Sequence, residues 1–140
     1  MKNIVKMEFS AKLANVTFAR ASAAAFVLGL DLTINVINEI KTIVSEAVTN
    51  AIIHGYNQNE KKYVYLELCI DDNKLTIVVK DEGIGIENIE KAKEPLFTTK
   101  LQEERAGLGF TIMDIFSDEM EIQSSINEGT TVICTKILPL

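Results

Sequence analysis

Hydrophobic positions change their period along this chain, and the changes divide it into elements. Val5, Met7 and Phe9 alternate with Lys6 and Glu8, which predicts a half-buried strand over residues 4–9 near a sheet edge. From residue 15 to 28 the spacing becomes three and four. Val16, Ala19, Ala23 and Phe26 then share one side of an alanine-rich helix, with Gly29 placed to end it. A longer helix is expected to open at Asp31 or Thr33 and to run to His54 before Gly55 stops it. Ile37, Ile40, Val44, Ala47, Val48 and Ala51 make its apolar stripe.

Residues 56–62 read as a polar turn. Two period-two runs, 63–70 and 74–80, are joined by Asp71-Asp72-Asn73 and predict an antiparallel hairpin. Periodicity then fades: a glycine-containing loop from Asp81, a short helix near 87–92, Pro95 and a polar stretch read as a mobile lid over about 86–106. Gly107-Leu108-Gly109 opens a helical pattern to about Phe116. Strands over 119–126 and 130–138 follow, turning at Asn127-Glu128-Gly129. The order β, α, α, β, β, short α, α, β, β predicts a two-layer α/β sandwich with a mainly antiparallel sheet.

Composition narrows the class. At 140 residues, 47% hydrophobic, with seven glycines and two prolines, the chain is expected to be one domain over 1–140 rather than a disordered or repetitive polymer. Fourteen basic residues against twenty acidic ones, with no Lys/Arg run, argue against direct nucleic-acid binding. Cys69 and Cys134 lie inside alternating apolar runs, as small core or sheet residues of a reducing compartment do. Lys2, Lys6 and Glu8 leave no signal-peptide core, and nowhere do about 18 apolar residues run together, so the expectation is a soluble, cytoplasmic protein without membrane contact.

Glu46 and Asn50 are four apart on the long helix, off its apolar stripe, where they can meet one ligand. An amide oxygen suits Mg²⁺ and a carboxylate can take a proton; a solvated helix face explains the pair as well. Asp81-Glu82-Gly83-Ile84-Gly85 follows a strand. The carboxylate can accept from an exocyclic amine, which adenine offers and guanine lacks at that place, while the glycines let backbone approach a flat ring. Read by itself the segment is also an ordinary turn.

Gly107-Leu108-Gly109 ahead of a helix makes a phosphate seat, with Arg105 and Lys100 just upstream to supply a donor fork and a point charge. A bare helix start is the alternative. His54 can approach a phosphate or cap the last turn of its helix. Thr130 and Thr131 can reach a base through water, or simply belong to a turn and strand. No G-x-x-x-x-G-K-[ST] sequence occurs, which excludes a P-loop.

In order and spacing, Glu46-x-x-x-Asn50, Asp81-x-Gly83-x-Gly85, Gly107-x-Gly109 and Gly129-Thr130-Thr131 resemble the conserved boxes of the Bergerat-fold ATPases, the superfamily of gyrase, histidine kinases and mismatch-repair proteins. The longer strings Ser45-Glu46-Ala47-Val48-Thr49-Asn50-Ala51-Ile52-Ile53-His54-Gly55-Tyr56 and Glu94-Pro95-Leu96-Phe97-Thr98-Thr99-Lys100 resemble its sporulation anti-sigma-factor serine kinase branch, over essentially the whole chain.

The resemblance implies ATP or ADP between the long helix and the lid, with Asp81 on adenine, Asn50 on Mg²⁺, Glu46 as catalytic base and Arg105 on the γ-phosphate. Gly83, Gly85, Thr99, Lys100, Gly107, Leu108, Gly109 and Thr130 would complete the nucleotide contacts. It further implies a sporulation sigma factor as partner, and a serine on an anti-anti-sigma antagonist as phosphoacceptor. Arg20 would contact both, and a homodimer is expected. Leu101 and Ala106 depart from the branch pattern, within the lid. A histidine kinase would need a helical phosphoacceptor domain for which 140 residues leave no space, so transfer to a separate protein is expected; a nucleotide-gated sigma-binding protein with little transferase activity, or an ATPase fragment, are the other readings.

Overall fold

The computed structural model describes residues 2–94 and 109–140. Five strands form one antiparallel sheet in the order β1-β2-β3-β5-β4. They are β1 (Lys2–Ser10), β2 (Tyr63–Asp71), β3 (Lys74–Asp81), β4 (Glu119–Ser125) and β5 (Gly129–Ile137). Helices α1 (Ala14–Phe26), α2 (Ile34–Asn50) and α4 (Gly109–Phe116) accompany the sheet, and α3 (Ile89–Ala92) is a single turn. This is the expected two-layer sandwich, and β1 lies at the sheet edge, as the alternation over 4–9 implied, though it extends further at both ends.

The sheet has one apolar face because side chains alternate across a strand. Val64, Leu66, Leu68 and Ile70 of β2, Leu75, Ile77 and Val79 of β3, and Val132 and Cys134 of β5 are buried, together with Ala19 and Ala23 of α1, Ile40, Ile43, Val44 and Val48 of α2, and Met113 of α4. Their neighbours in sequence, among them Glu67, Thr76 and Lys80, occupy the other face and are half-buried or exposed. Cys69 and Cys134 are both free thiols; burial pushes Cys134 up to about 11, so its thiol stays protonated and inert. Lys136 on β5 ties the layers at one end, pairing with Glu39 of α2 at 2.8 Å and donating to the Phe116 carbonyl at 2.7 Å.

Three expectations change. The long helix does not run regularly to His54. Thr33, rather than Asp31, caps it, its hydroxyl accepting from the Val36 amide at 3.3 Å, and the α-helix gives way after Asn50 to a π-helical turn over Ala51–Gly55. There the Tyr56 amide bonds the Ala51 carbonyl five residues back, at 3.0 Å. Such widened turns recur at functional sites, and this one brings Gly55 against the end of β3, its carbonyl accepting from the Ile84 amide at 3.0 Å. Secondly, residue 56 does not belong to a polar turn: Tyr56 is a buried member of the core. Thirdly, the short helix shrinks to Ile89–Ala92, capped by Asn88, whose side chain accepts from the Lys91 amide at 3.0 Å. The remainder of the expected lid, from residue 95, lies outside the described residues.

Candidate functional site

The inner face of β3 reads Leu75, Ile77, Val79, Asp81: the alternation that fills the core puts a carboxylate in phase at its last step. Asp81 is only 5% exposed. Burial is the main influence on it, pushing the carboxyl up from 3.8 to about 6 against the hydrogen bonds from the Gly83 and Thr130 amides that favour the ionised form. A carboxylate held this way, with a free face toward a slot, is an acceptor waiting for a donor.

That slot lies between the end of α2 and strands β3 and β5. Ala47, Ala51, Val79, Ile86 and Val132 give it apolar walls, and Asn50, His54, Asp81 and Thr130 supply the polar points. Apolar walls with a few fixed polar groups suit an apolar ring edged with hydrogen-bonding groups.

The loop that follows Asp81 is pinned on both sides. Gly83 has no room for a side chain, since a Cβ there would lie 1.9 Å from the Gly55 carbonyl oxygen. Gly85 has φ +78, and its missing Cβ faces the Ser125 carbonyl. The sequence reading assigned both glycines to close approach of a ligand; the missing Cβ of each faces neighbouring backbone instead. Gly85 still lines the slot. Ser124 closes the far end: its hydroxyl accepts from the Ile86 amide at 2.7 Å, donates to the Gly129 carbonyl at 3.0 Å and lies 2.8 Å from the Thr130 hydroxyl. With its own proton on Gly129, Ser124 takes Thr130's, which leaves Thr130 lone pairs as acceptors.

Asn50 and Glu46 share a side of α2, but Glu46 is not on a solvated face. It is 4% exposed and belongs to a run, Ile43 to Val48, that is buried throughout, with α1 and α4 both packed against α2. Asn50 lines the slot, and its Oδ1 is buried with no hydrogen-bond partner among the described residues. Burying an amide oxygen without a donor is costly, and a hard cation such as Mg²⁺ fits the vacancy in its bonding. No cluster of three acidic, histidine or cysteine groups able to hold a metal occurs among the described residues. One protein oxygen completed by phosphate oxygens and water is the ordinary manner of Mg²⁺ in nucleotide sites.

Thr99, Lys100, Arg105, Gly107 and Leu108 lie outside the described residues, as do Leu101 and Ala106. Gly109 begins α4 and is buried. Arg20 sits on α1, half-buried and remote in sequence from the slot. Sequence reasoning missed Tyr56 and Ser124. Ser124 left a signal, being in phase with Met120 and Ile122 on the inner side of β4; Tyr56 followed a glycine and carried none.

An α/β sandwich with an apolar slot between its long helix and sheet, an acidic group at a strand end and an orphaned amide oxygen on the helix is the arrangement of a nucleotide-binding ATPase domain. Residues 9–136 match the family described as Histidine kinase-like ATPase domain, and the chain belongs to it. Among solved structures, the RsbU and RsbW domains of Rv1364c from Mycobacterium tuberculosis share the fold with a TM-score of 0.69 over 97% of this chain and 32% of that longer one, at 18% identity.

Closer relatives define the branch. Proteins named Anti-sigma F factor are 53% identical over 138 residues in Geobacillus sp. (strain WCH70), covering 99% of this chain and 94% of the relative. In Clostridium perfringens (strain SM101 / Type A) the figure is 52% over 136 residues, with 97% of each chain covered. In Bacillus subtilis (strain 168) it is 50% over 138 residues, with 99% and 94% covered. The chain is a member of the anti-sigma F factor family.

Proposed function

We propose that this anti-sigma factor binds ATP or ADP in the slot, sequesters the sporulation sigma factor sigma-F, and inactivates its anti-anti-sigma antagonist by phosphorylating a serine. One observation carries the reading: Asp81 and Asn50, a buried acceptor and an orphaned amide oxygen, line the same apolar slot from sheet and helix. Asp81 would accept from the exocyclic amine of adenine, whereas the carbonyl of guanine in that place would set one acceptor against another. Thr130 offers a second acceptor beside it.

Asn50 Oδ1 would hold Mg²⁺, which when bound neutralises charge on the phosphate oxygens. Glu46, one turn before Asn50 on α2, would orient the serine hydroxyl. As the serine oxygen bonds the γ-phosphorus and the bond to the ADP oxygen breaks, Glu46 would take the hydroxyl proton late in a loose transition state. Arg105, Lys100 and Thr99, with the amides of Gly107, Leu108 and Gly109, are proposed for the phosphates on the sequence resemblance. Arg20 on α1 is proposed for both protein partners, and α1 with the edge strand β1 for a homodimer of cytoplasmic location. No described helix is long and apolar enough to cross a membrane.

The test is incubation with Mg-ATP and the candidate antagonist, followed by mapping of the phosphorylated residue. Stoichiometric phosphoserine on the antagonist is the expected result. No transfer, with nucleotide-dependent sigma binding intact, would leave a nucleotide-gated binding protein instead.

A further inference from the structure

Tyr56 joins three segments through one oxygen atom. Its phenol donates to the Tyr63 carbonyl at the start of β2, at 2.8 Å, and accepts from the Glu82 amide at 2.6 Å. A hydroxyl has a single proton, so the bond to Tyr63 fixes where the lone pairs point, and the Glu82 N–H meets one of them. Glu82 is the residue after Asp81, and two residues further on Ile84 donates to the Gly55 carbonyl at 3.0 Å. The loop carrying the purine acceptor therefore hangs by alternate amides, Glu82 and Ile84, from the adjacent residues Tyr56 and Gly55. The Gly83 amide between them turns inward to Asp81 Oδ1 at 2.9 Å.

We infer that the Tyr56 hydroxyl is a positioning group for purine selection: by holding Glu82 it fixes the Asp81 carboxylate at the depth where it accepts from an amine and rejects a carbonyl. The inference rests on the proposal that the slot binds adenine nucleotide. Phenylalanine at 56 would fill the same volume, yet leave the Glu82 amide without its acceptor and free the start of the loop to shift. A carboxylate that can withdraw toward water loses little against a carbonyl and much against an amine. Burial raises the phenol above its ordinary 10, and Asp81, Glu82 and Glu8 add to the effect, so the donor proton stays in place at neutral pH.

The experiment compares Tyr56→Phe with Tyr63→Phe, a residue that is 60% exposed and whose carbonyl, the part used by Tyr56, is untouched by the change. ADP and GDP affinities are measured by calorimetry beside the melting temperature. Tyr56→Phe is expected to weaken ADP about 3- to 10-fold, the effect of one lost hydrogen bond, while GDP changes little, so that the ADP:GDP ratio falls by the same factor. Tyr63→Phe should leave the ratio unchanged. A folded Tyr56→Phe protein with a lower melting temperature and an unaltered ratio overturns the inference, because a merely structural hydroxyl would do that. Should the variant fail to fold, amide exchange on the unaltered protein decides. A Glu82 amide that gains protection with ADP and not with GDP supports the assignment; one protected equally by both, or one that exchanges freely in every state, overturns it. Asp81→Asn without loss of ADP affinity would instead sink the adenine reading on which the inference depends.

Discussion

The Gly83 amide donates to Asp81 Oδ1 at 2.9 Å, and this bond is outweighed by the burial of the carboxylate it serves. The folded carboxyl titrates near 6, above its ordinary 3.8, so between those values the folded protein holds a proton that the unfolded chain has released. Asp81 therefore costs the nucleotide-free protein stability at neutral pH, on the order of 3 kcal/mol from two pKa units, and the cost is relieved as pH falls through about 6 toward 4. Urea denaturation from pH 4.5 to 7.5 should show Asp81→Asn more stable than the parent at pH 7, with the difference shrinking on acidification. ADP affinity of the parent should fall below about pH 6, where the acceptor becomes protonated.

Gly83→Ala drives a Cβ into the Gly55 carbonyl, which as backbone cannot swing away. The variant is expected to lose about 1–3 kcal/mol of stability by overpacking. Its ADP binding should fall well beyond what the lower stability explains, since the displaced loop carries Asp81. Thermal melts with and without ADP would check both: a variant still shifted upward by ADP as far as the parent contradicts the expectation.

Asn50→Ala removes the orphaned oxygen at the slot. Mg²⁺ should then improve ADP affinity far less than in the parent, by about 10-fold less if Asn50 is a direct ligand, while affinity in EDTA stays close to normal. Titrations in the two buffers give the answer directly.

Glu46→Gln keeps the shape of a buried side chain and removes its basicity. Phosphate transfer to the antagonist should drop by about 10²–10⁴, the usual worth of a general base, with ADP affinity within a few-fold. Transfer at the parental rate would show that another group takes the proton.

Arg20→Glu reverses charge on α1 away from the slot. Sigma and antagonist binding should weaken by at least about 10-fold, as loss of an interface arginine does, with ADP affinity unaltered. Surface plasmon resonance against each partner would measure it, and a simultaneous loss of ADP binding would point to misfolding.

Much of the fold was legible because alternation and three-four spacing are local properties. All five strands were anticipated within one or two residues at their ends, the widest difference being the two residues by which β1 begins earlier, at Lys2. What escaped was set by distant contacts. Nothing near residues 51–55 announces a π-helical turn, which is stabilised by Gly55 docking on the loop after β3. Tyr56 looked like turn chemistry because its partners, Tyr63 and Glu82, lie 7 and 26 residues away. Glu46 looked solvated because the apolar stripe accounts for only one side of α2, and the covering by α1 and α4 is tertiary. The acid at the strand end, the amide on the helix and the glycines were found as residue types at spacings. Their burial, which gives them chemistry, was not.

The π-helical turn makes chain length part of the site. A straight α-helix through residues 51–55 would close each turn one residue sooner and rotate everything after it by about 100° about the axis. Gly55 would leave the loop after β3, and Tyr56 would point away from Glu82. The stretch between Asn50 and Tyr56 thus acts as a spacer of fixed count. Point changes that respect the packing there can be absorbed, whereas a deletion or insertion of a single residue would put the two halves of the pocket out of phase, however conservative the remaining sequence.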